Sequence, residues 1–571
     1  MQSPFTNTSS EEQTCLPGFG QPLNYYPDGE GKDRPFPSAL NPKDMDKGRT
    51  VLALTTLREF KMLQIMNQIT DKPNWNTKVF DEAITEKWKS EALALTDEDI
   101  TEAMMRWVID ELRYKASVFS QTGAVSVFTG DVVKSDSALP ETFKLALQAA
   151  VGALEDVPEK DQDWHPGSNG MVLDLVHPSL FPLVYGRSRV LERGRLSLGD
   201  CIARCGEGIE IPVPTEEESK INAHRDSLPY RILGKTYSRK FQWLPCEVDT
   251  SSDKAKITSY INNLHPERHK VLYGLIEQVI DAAIPLWNMS LAPTVECKWG
   301  YWRSGTRVNY SGISGEDAEG VERPEPGTFV APTNPPQLDL REQFKEKGLQ
   351  VIVKLANIQL TPENNHYAGG SWHVEGQLNE HICATALYYY SNENIADSTL
   401  AFRQQSSTGT YGMNYAQDEH AFLEIIYGCS NNDPGVQFVG GVHTREGRLL
   451  TFPNILQHQV QPFGLKDASK PGHRKILALF LVDPHIRVLS TANVPPQQRD
   501  WWAERVGEAC TGLDRLPQEL KDEVFSEVQG GFPISLEEAK ELRKELMEER
   551  KRFQVKHHSA FEYLQFSLCE H

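Results

Sequence analysis

The chain has 571 residues, far more than one substantial core requires, so two or more domains are expected. Apolar residues make up 39%, which excludes a wholly disordered chain or a fibrous repeat. A formal net charge of −20 argues against nucleic acid as the main partner, because phosphate binding needs a basic face. No run of about 18 consecutive apolar residues occurs, so no membrane span is expected. The polar, proline-rich start lacks the apolar segment of a secretory signal. Nine cysteines, odd in number and scattered, make no disulfide framework, and Cys201 and Cys205 read as buried free thiols. These features predict a reducing, cytoplasmic setting.

Residues 1–48 mix Pro, Gly, Ser, Asn and Lys without apolar periodicity and predict a loop-rich arm. Residues 49–290 predict a mainly helical region. Val51, Leu52, Leu54, Leu57, Phe60, Met62, Leu63 and Met66 recur at helical spacing. Further helical patterns cover 78–93, 97–116, 140–154 and 269–286, with Asp97 and Asp99 in the first turn of theirs. His165 and His177 are each followed by proline, which predicts extended or turn backbone. Ordered loop packing is the plainer reading of both, and a place near a substrate is the alternative. Residues 238–244 read as a strand or sheet edge.

Residues 291–490 predict a β core. The run 294–302 alternates like a strand, 311–336 is a Gly-, Glu- and Pro-rich loop insertion, and strand patterns follow at 349–360, 373–374, 382–390, 424–427, 448–452 and 476–482. Many short strands with few helical patterns between them predict a barrel or sandwich. The fold class expected is α+β, with a double-stranded β-helix (jelly-roll, cupin-like) core whose open mouth suits a metal group. Residues 491–571 predict a C-terminal helical extension. Ser535 and Glu538 have capping-box spacing, and Lys540, Glu541, Arg543, Lys544 and Glu545 predict a solvated helical face to about Phe553.

The stretch His373-Val374-Glu375 carries the chemistry. On a strand, residues two apart share a face, so this imidazole and carboxylate converge while Val374 points into packing. His458 is the third candidate, ahead of His443, His473, His381 and His366. A strand and a proline turn, 449–453, lead directly into it. His381 would sit about 26 Å from His373 on a continuous strand. His366 and His473 read as neighbours of the ligands rather than ligands. Two histidines and one carboxylate on a β scaffold form a facial triad, which leaves metal positions open and suits non-haem Fe(II). Trp299, Trp302, Tyr388 and Tyr390 are candidate pocket lining, with core packing as the plainer reading.

His-x-Glu, a distant His, then Arg474 before an apolar strand resembles the order in Fe(II)/2-oxoglutarate dioxygenases, over roughly residues 349–484. The longer run L-A-N-I-Q-L-T-P…Y-A-G-G-S-W-H-V-E-G is similar to a large, mainly fungal family of uncharacterised proteins, over most of the chain. The first resemblance implies Fe(II) held by His373, Glu375 and His458, with 2-oxoglutarate chelating it through the keto-acid end. It further implies that Arg474 pairs with the distal carboxylate, with Lys354 and Asn357 as the fallback for that role. O2 and a small molecule or amino-acid-like metabolite would be the other reactants, with hydroxylation or desaturation as the outcome. Arg474 follows His458 by 16 positions, longer than is usual there, and Glu375 stands where aspartate is commoner. The alternatives are an oxygenase or oxidase with the same triad but no 2-oxoglutarate, a zinc site, or a jelly-roll that serves only as a binding or scaffold protein.

Overall fold

A computed structural model describes residues 13–567 except 28, 30, 96–97, 129–130, 222–231, 233–236, 296–306, 311–320, 410–419, 510–516, 518–519 and 521–531. Polar side chains set the helix starts. In α1 (Leu57–Thr70) the Thr56 side chain accepts the Glu59 N–H. The apolar pattern begins earlier, at Val51, but those residues run extended: Leu52 N–H donates to Gln405 O at 2.8 Å, and Ser407 N–H donates to Leu52 O at 2.8 Å. Asp81 caps α2 (Glu82–Leu93). Thr101 caps α3 (Glu102–Thr122), and Gly123 ends it at φ 65°. Asp97 lies outside the described residues, and Asp99 precedes α3 and pairs with Arg58 at 2.9 Å. Next come α4 (Glu141–Glu155) and α5 (Lys270–Val295). Thr294 and Val295, expected to open a strand, end α5 instead, and the rest of that segment, Trp299 and Trp302 included, lies outside the described residues.

The last helix, α6 (Leu536–Phe561), starts at Ser535, whose side chain accepts the Glu538 N–H. Its expected solvated face is only partly solvated. Ala539, Arg543, Leu546, Arg550, Phe553 and His557 are buried, a spacing of three and four that marks one docked stripe. Two of those residues are arginines, each held by a carboxylate: Arg543 by Asp163, with Nη2 2.8 Å from Oδ1, and Arg550 by Glu380 at 2.6 Å.

Apart from short two-residue pairs such as Leu183–Val184 with Phe241–Gln242, the strands in chain order are β1 (Val125–Val127), β2 (Val132–Ser135), β3 (Val172–Val176), β4 (Cys246–Asp249), β5 (Lys256–Ile257), β6 (Leu349–Leu360), β7 (His366–Tyr367), β8 (Ile382–Glu393), β9 (Thr399–Gln405), β10 (Val436–His443), β11 (Leu449–Pro453), β12 (Gln457–Val460), β13 (Phe463–Gly464) and β14 (Gly472–Val482). A large antiparallel sheet runs β5-β4-β6-β14-β8-β11-β2-β1, and β3 also pairs with β6. It draws strands from both sides of residue 290. A small antiparallel sheet runs β10-β9-β12. The strand expected over 424–427 is instead a π-helical turn, Leu423–Tyr427, closed by Gly428 at φ 68°.

Alternation along the long strands separates two cores. Leu355, Tyr388, Tyr390, Leu477 and Leu479 pack against Phe143 and Leu147 of α4 and Ile276, Ile280 and Trp287 of α5. Ile352, Leu387, Tyr389, Ala478 and Phe480 face the other way, toward Phe402, Val442 and Phe452, with Phe60 of α1 and Met104 of α3 closing the cluster. Each such buried side chain contributes about 2 kcal/mol. Tyr388 and Tyr390 therefore belong to the helix-side core and line no pocket between the sheets. Among the described residues, no helix is long and apolar enough to cross a membrane, and Cys15, Cys201, Cys205, Cys246, Cys383 and Cys429 are free thiols.

Candidate metal centre

His373 is not on a long strand. It forms a single antiparallel bridge with His458 on the edge of β12: His373 N–H donates to His458 O at 3.2 Å, and His458 N–H donates to His373 O at 3.0 Å. Residues that exchange both bonds stand directly opposite, so their side chains leave the same face. The imidazole centroids are 4.3 Å apart. Glu375, two residues on, joins that face. Its Oε1 lies 3.7 Å from His373 Nε2 and 3.3 Å from His458 Nε2. Two donors about 2.1 Å from one ion stand about 3 Å apart, so this set needs only a small contraction to hold one.

Neighbouring groups orient the donors. His373 Nδ1 is 2.8 Å from Ser371 O. A carbonyl only accepts, so Nδ1 carries a proton and Nε2 is the atom turned to Glu375; burial lowers the His373 pKa, but the hydrogen bond and charge of Glu375 outweigh it and raise it. Asn454 pins Glu375 from behind: its Oδ1 accepts the Glu375 N–H at 2.8 Å, and its Nδ2 donates to Glu375 O and Ile382 O at 3.0 Å each. His458 is flanked by Phe452, 4.8 Å between ring centres, and its buried Nδ1 has no partner among the described residues. Burial pushes the Glu375 carboxyl up, but hydrogen bonds and charge from His373 and His458 outweigh it and hold the group well below the usual carboxylate range. Burial, then repulsion from His373, lowers His458 and keeps it neutral. Glu375 and His458 thus have the ionised and neutral forms a metal needs, and a metal ion at His373 Nε2 would compete with a proton there.

The other residues singled out by sequence fall in different places. Arg474 lies opposite Ile358 in the β6–β14 pairing and is 2% exposed. Its Nη1 donates to Ser398 Oγ and Thr444 Oγ1 at 3.3 Å each, and its guanidinium lies 4.8 Å from the Phe463 ring. Nε has no partner, and among the described residues no carboxylate pairs with it. Burial lowers its pKa. The long interval after His458 holds β13, which pairs with β7, and a turn fastened by Asn394 Nδ2 to Asp467 O and Lys470 O at 2.9 Å each. Lys354, opposite Ala478, shares the inward face, and its charge acts on His373.

Asn357 does not join Lys354. Three positions along a strand reverse the face, and Asn357 is wholly buried on the helix side, donating to Glu155 at 2.7 Å and accepting from Tyr390 OH at 3.2 Å. His473 also points outward, to Ser391 Oγ at 2.8 Å. His381 follows a 3-10 turn at φ 46°, beside Tyr237, and His366 is exposed on β7.

One other group among the described residues, His165, Asp174 and His177, brings three potential ligand atoms within 4.8 Å. Its chemistry differs. Ser179 N–H donates to His177 Nδ1 at 3.1 Å, and burial keeps this imidazole neutral, so Nε2 bears the proton and offers a donor rather than a lone pair. His165 Nδ1 is engaged with Asp174 Oδ2 at 2.7 Å, and Arg543 lies 3.9 Å from that carboxylate. The Asp174 carboxylate thus already stands between an imidazole and a guanidinium.

Two antiparallel sheets joined through a common apolar core and flanked by helices, with a His-Glu-His group on one face at the edge of the smaller, define a mixed α/β protein that brings three potential ligand atoms together. The chain belongs to the family described as Protein of unknown function (DUF4246), whose model matches residues 102–505, and the Domain of unknown function DUF4246, N-terminal, matches residues 16–91. No curated protein matches it. Among solved structures, it is similar at 12% identity to a bsmA homolog from Methylobium petroleophilum PM1 (26% of this chain, TM-score 0.16) and to IDO from Bacillus thuringiensis (24%, TM-score 0.13). The chain spans about half of each, 48%. It is also similar to the Fe(II)/(alpha)ketoglutarate-dependent dioxygenase TqaL, at 12% identity over 60% of this chain and 90% of that one, with a TM-score of 0.20. Similarity at this level decides neither fold nor function.

Proposed function

We propose that the chain is a non-haem Fe(II) oxygenase that uses 2-oxoglutarate to oxidise a C–H bond of a small molecule. The convergence of His373, Glu375 and His458 on one face carries the reading. The alternation of β6, β8, β11 and β14 in one sheet with the His373 segment, β9, β10 and β12 in the other supports a double-stranded β-helix as the core.

O2 would be the oxidant, and bound Fe(II) would supply its activation, with 2-oxoglutarate giving two electrons and leaving as succinate and CO2. The protein's part is to hold three donors on one face and leave the opposite positions open. Phe402 and Phe452, 5.0 Å apart, keep water from the His458 side. Arg474, buried with no acidic partner among the described residues, is the group for the distal carboxylate of the co-substrate, as a bidentate pair requires. Lys354 stands four strand positions, about 13 Å, from the Ile358 that faces Arg474. It therefore stands apart from the Arg474 position, and its charge also acts on Asp174.

Anaerobic addition of Fe(II) and then 2-oxoglutarate tests the reading through the visible charge-transfer band of the chelate. The band is expected in the wild type and absent in His373→Ala and Arg474→Ala. Iron uptake without a band would remove 2-oxoglutarate and leave a triad oxidase. No metal uptake would remove the enzyme reading altogether.

A further inference from the structure

The ligand-bearing segment is weakly fastened to its own sheet. Apart from the two bonds of the His373–His458 bridge, Gly370 N–H donates to Val460 O at 2.9 Å, and regular pairing goes no further. Side chains add to this: Asn454 holds the Glu375 backbone, and Gln459 Nε2 donates to Gly370 O at 2.7 Å, but both act from the β11–β12 side and leave the opposite face of the segment to be held. By alternation, Trp372 and Val374 leave the face opposite the donors. On that side lies α6. Val374 is 4% exposed and packs in one cluster with Phe553 and Ala560 of the helix.

Polar contacts fasten both ends of the same segment. At the first end, Arg403 of β9 lies directly opposite Gln457, the neighbour of His458. Its guanidinium sits 5.0 Å from the Trp372 ring and 5.7 Å from Phe561. Its Nε donates to Gln457 Oε1 at 2.6 Å and its Nη1 to Glu562 Oε1 at 2.9 Å, while Nη2 is 2.9 Å from His558 Nδ1. At the other end, Glu380 closes the turn after Glu375. It accepts the Gln377 N–H at 2.6 Å and the Trp243 N–H at 2.8 Å, and Arg550 donates to it at 2.6 Å while stacking 3.7 Å over the Trp243 ring.

We infer that α6 is part of the metal centre, with Arg403 and Arg550 as positioning residues that clamp residues 372–380 from behind. Neither touches the donors; both act through the segment that carries them. The inference rests on the metal reading of His373, Glu375 and His458, and adds that the C-terminal helix sets their geometry. Removing one clamp frees the donors to spread, and a metal ion senses that directly.

The test uses the full chain as wild type, Arg403→Met, Arg403→Lys and Lys240→Met, the last breaking the exposed Lys240–Glu545 contact of the same helix away from the donors. Fe(II) affinity is measured anaerobically, and the visible spectrum of the Co(II)-loaded chain reports donor geometry. Arg403→Met is expected to weaken Fe(II) binding roughly ten- to a hundredfold and to alter the Co(II) bands, with partial recovery in Arg403→Lys and no change in Lys240→Met. Should Arg403→Met fail to fold, Glu562→Gln, which weakens one bond of the clamp, is expected to shift affinity and bands the same way by less. Wild-type affinity and spectrum in Arg403→Met, or equal losses in Lys240→Met, would overturn the inference and leave the triad standing. A wild type that takes up no metal would remove both.

Discussion

Replacing Arg474 with methionine separates a co-substrate clamp from a structural arginine, because the two roles predict opposite signs. The guanidinium is 2% exposed, and its hydrogen-bond acceptors are two hydroxyls at 3.3 Å. A buried cation so poorly compensated is a burden to the ligand-free chain, and exchanging buried ionic groups for apolar side chains of similar volume is often stabilising by about 1–4 kcal/mol. Arg474→Met is therefore expected to raise the melting midpoint without 2-oxoglutarate, or leave it unchanged. With 2-oxoglutarate, the lost bidentate pair is worth about 3 kcal/mol, or roughly a hundredfold in Kd. Titration of the charge-transfer band gives the affinity, and thermal melts with and without co-substrate give the stability. A ligand-free chain destabilised by more than ~2 kcal/mol, with wild-type affinity, would refute the reasoning and make Arg474 a core residue.

Other expectations follow from the same contacts. Lys354→Met should keep the chelate band at wild-type 2-oxoglutarate concentrations; loss of the band would assign Lys354 to the co-substrate instead. Asn454→Ala removes all three bonds that pin Glu375 and Ile382, so Fe(II) affinity should fall roughly tenfold or more, read by competition with a chelator; unchanged affinity would show that Glu375 needs no such support. Glu247 is pushed up by burial, but Arg487 and Arg195, with Ser490 and Gln350, bring it from 4.5 down to about 2. A lowered carboxyl stabilises above the unfolded pKa and loses that contribution as pH falls through the folded one. About 3 kcal/mol should therefore disappear between about pH 4.5 and 2, and Glu247→Gln should flatten that part of the stability profile. Arg307 bridges buried Glu59 at 2.9 Å and Glu111 at 2.7 Å. Arg307→Met leaves Glu59 without its arginine and Glu111 with only Lys115, at 3.2 Å, and should destabilise the chain by about 3–5 kcal/mol in denaturant; a loss under 1 kcal/mol would mean the pair relaxes to water.

Some of the site was readable from local spacing alone. Residues two apart on extended backbone share a face, so His373 and Glu375 could be paired without a fold, and Val374 assigned to packing. The same rule, applied to Lys354 and Asn357, already separates them, and the structure puts them on opposite faces of β6. Other errors came from patterns with two solutions. Val51 to Leu54 fit a helix by apolar spacing, yet form an edge along β9. Leu423–Tyr427, apolar and β-branched, winds into a π-helical turn because Gly428 lets the chain reverse there. Spacing alone does not distinguish Arg543 and Arg550 from their solvated neighbours; Asp163 and Glu380, 380 and 170 positions upstream, are brought to them by the fold.

What the sequence by itself determined is the shared face of His373 and Glu375, because strand alternation acts between neighbours in the chain. Tertiary structure alone decided that His458 stands opposite His373 rather than His443 or His473, since that choice belongs to the hydrogen-bond register between distant strands. It also decided which groups serve the donors. Asn454 behind Glu375, Arg474 stripped of acidic partners, and α6 against the back of the ligand segment all arise from burial and pairing across the whole chain, and spacing along it carries no record of them.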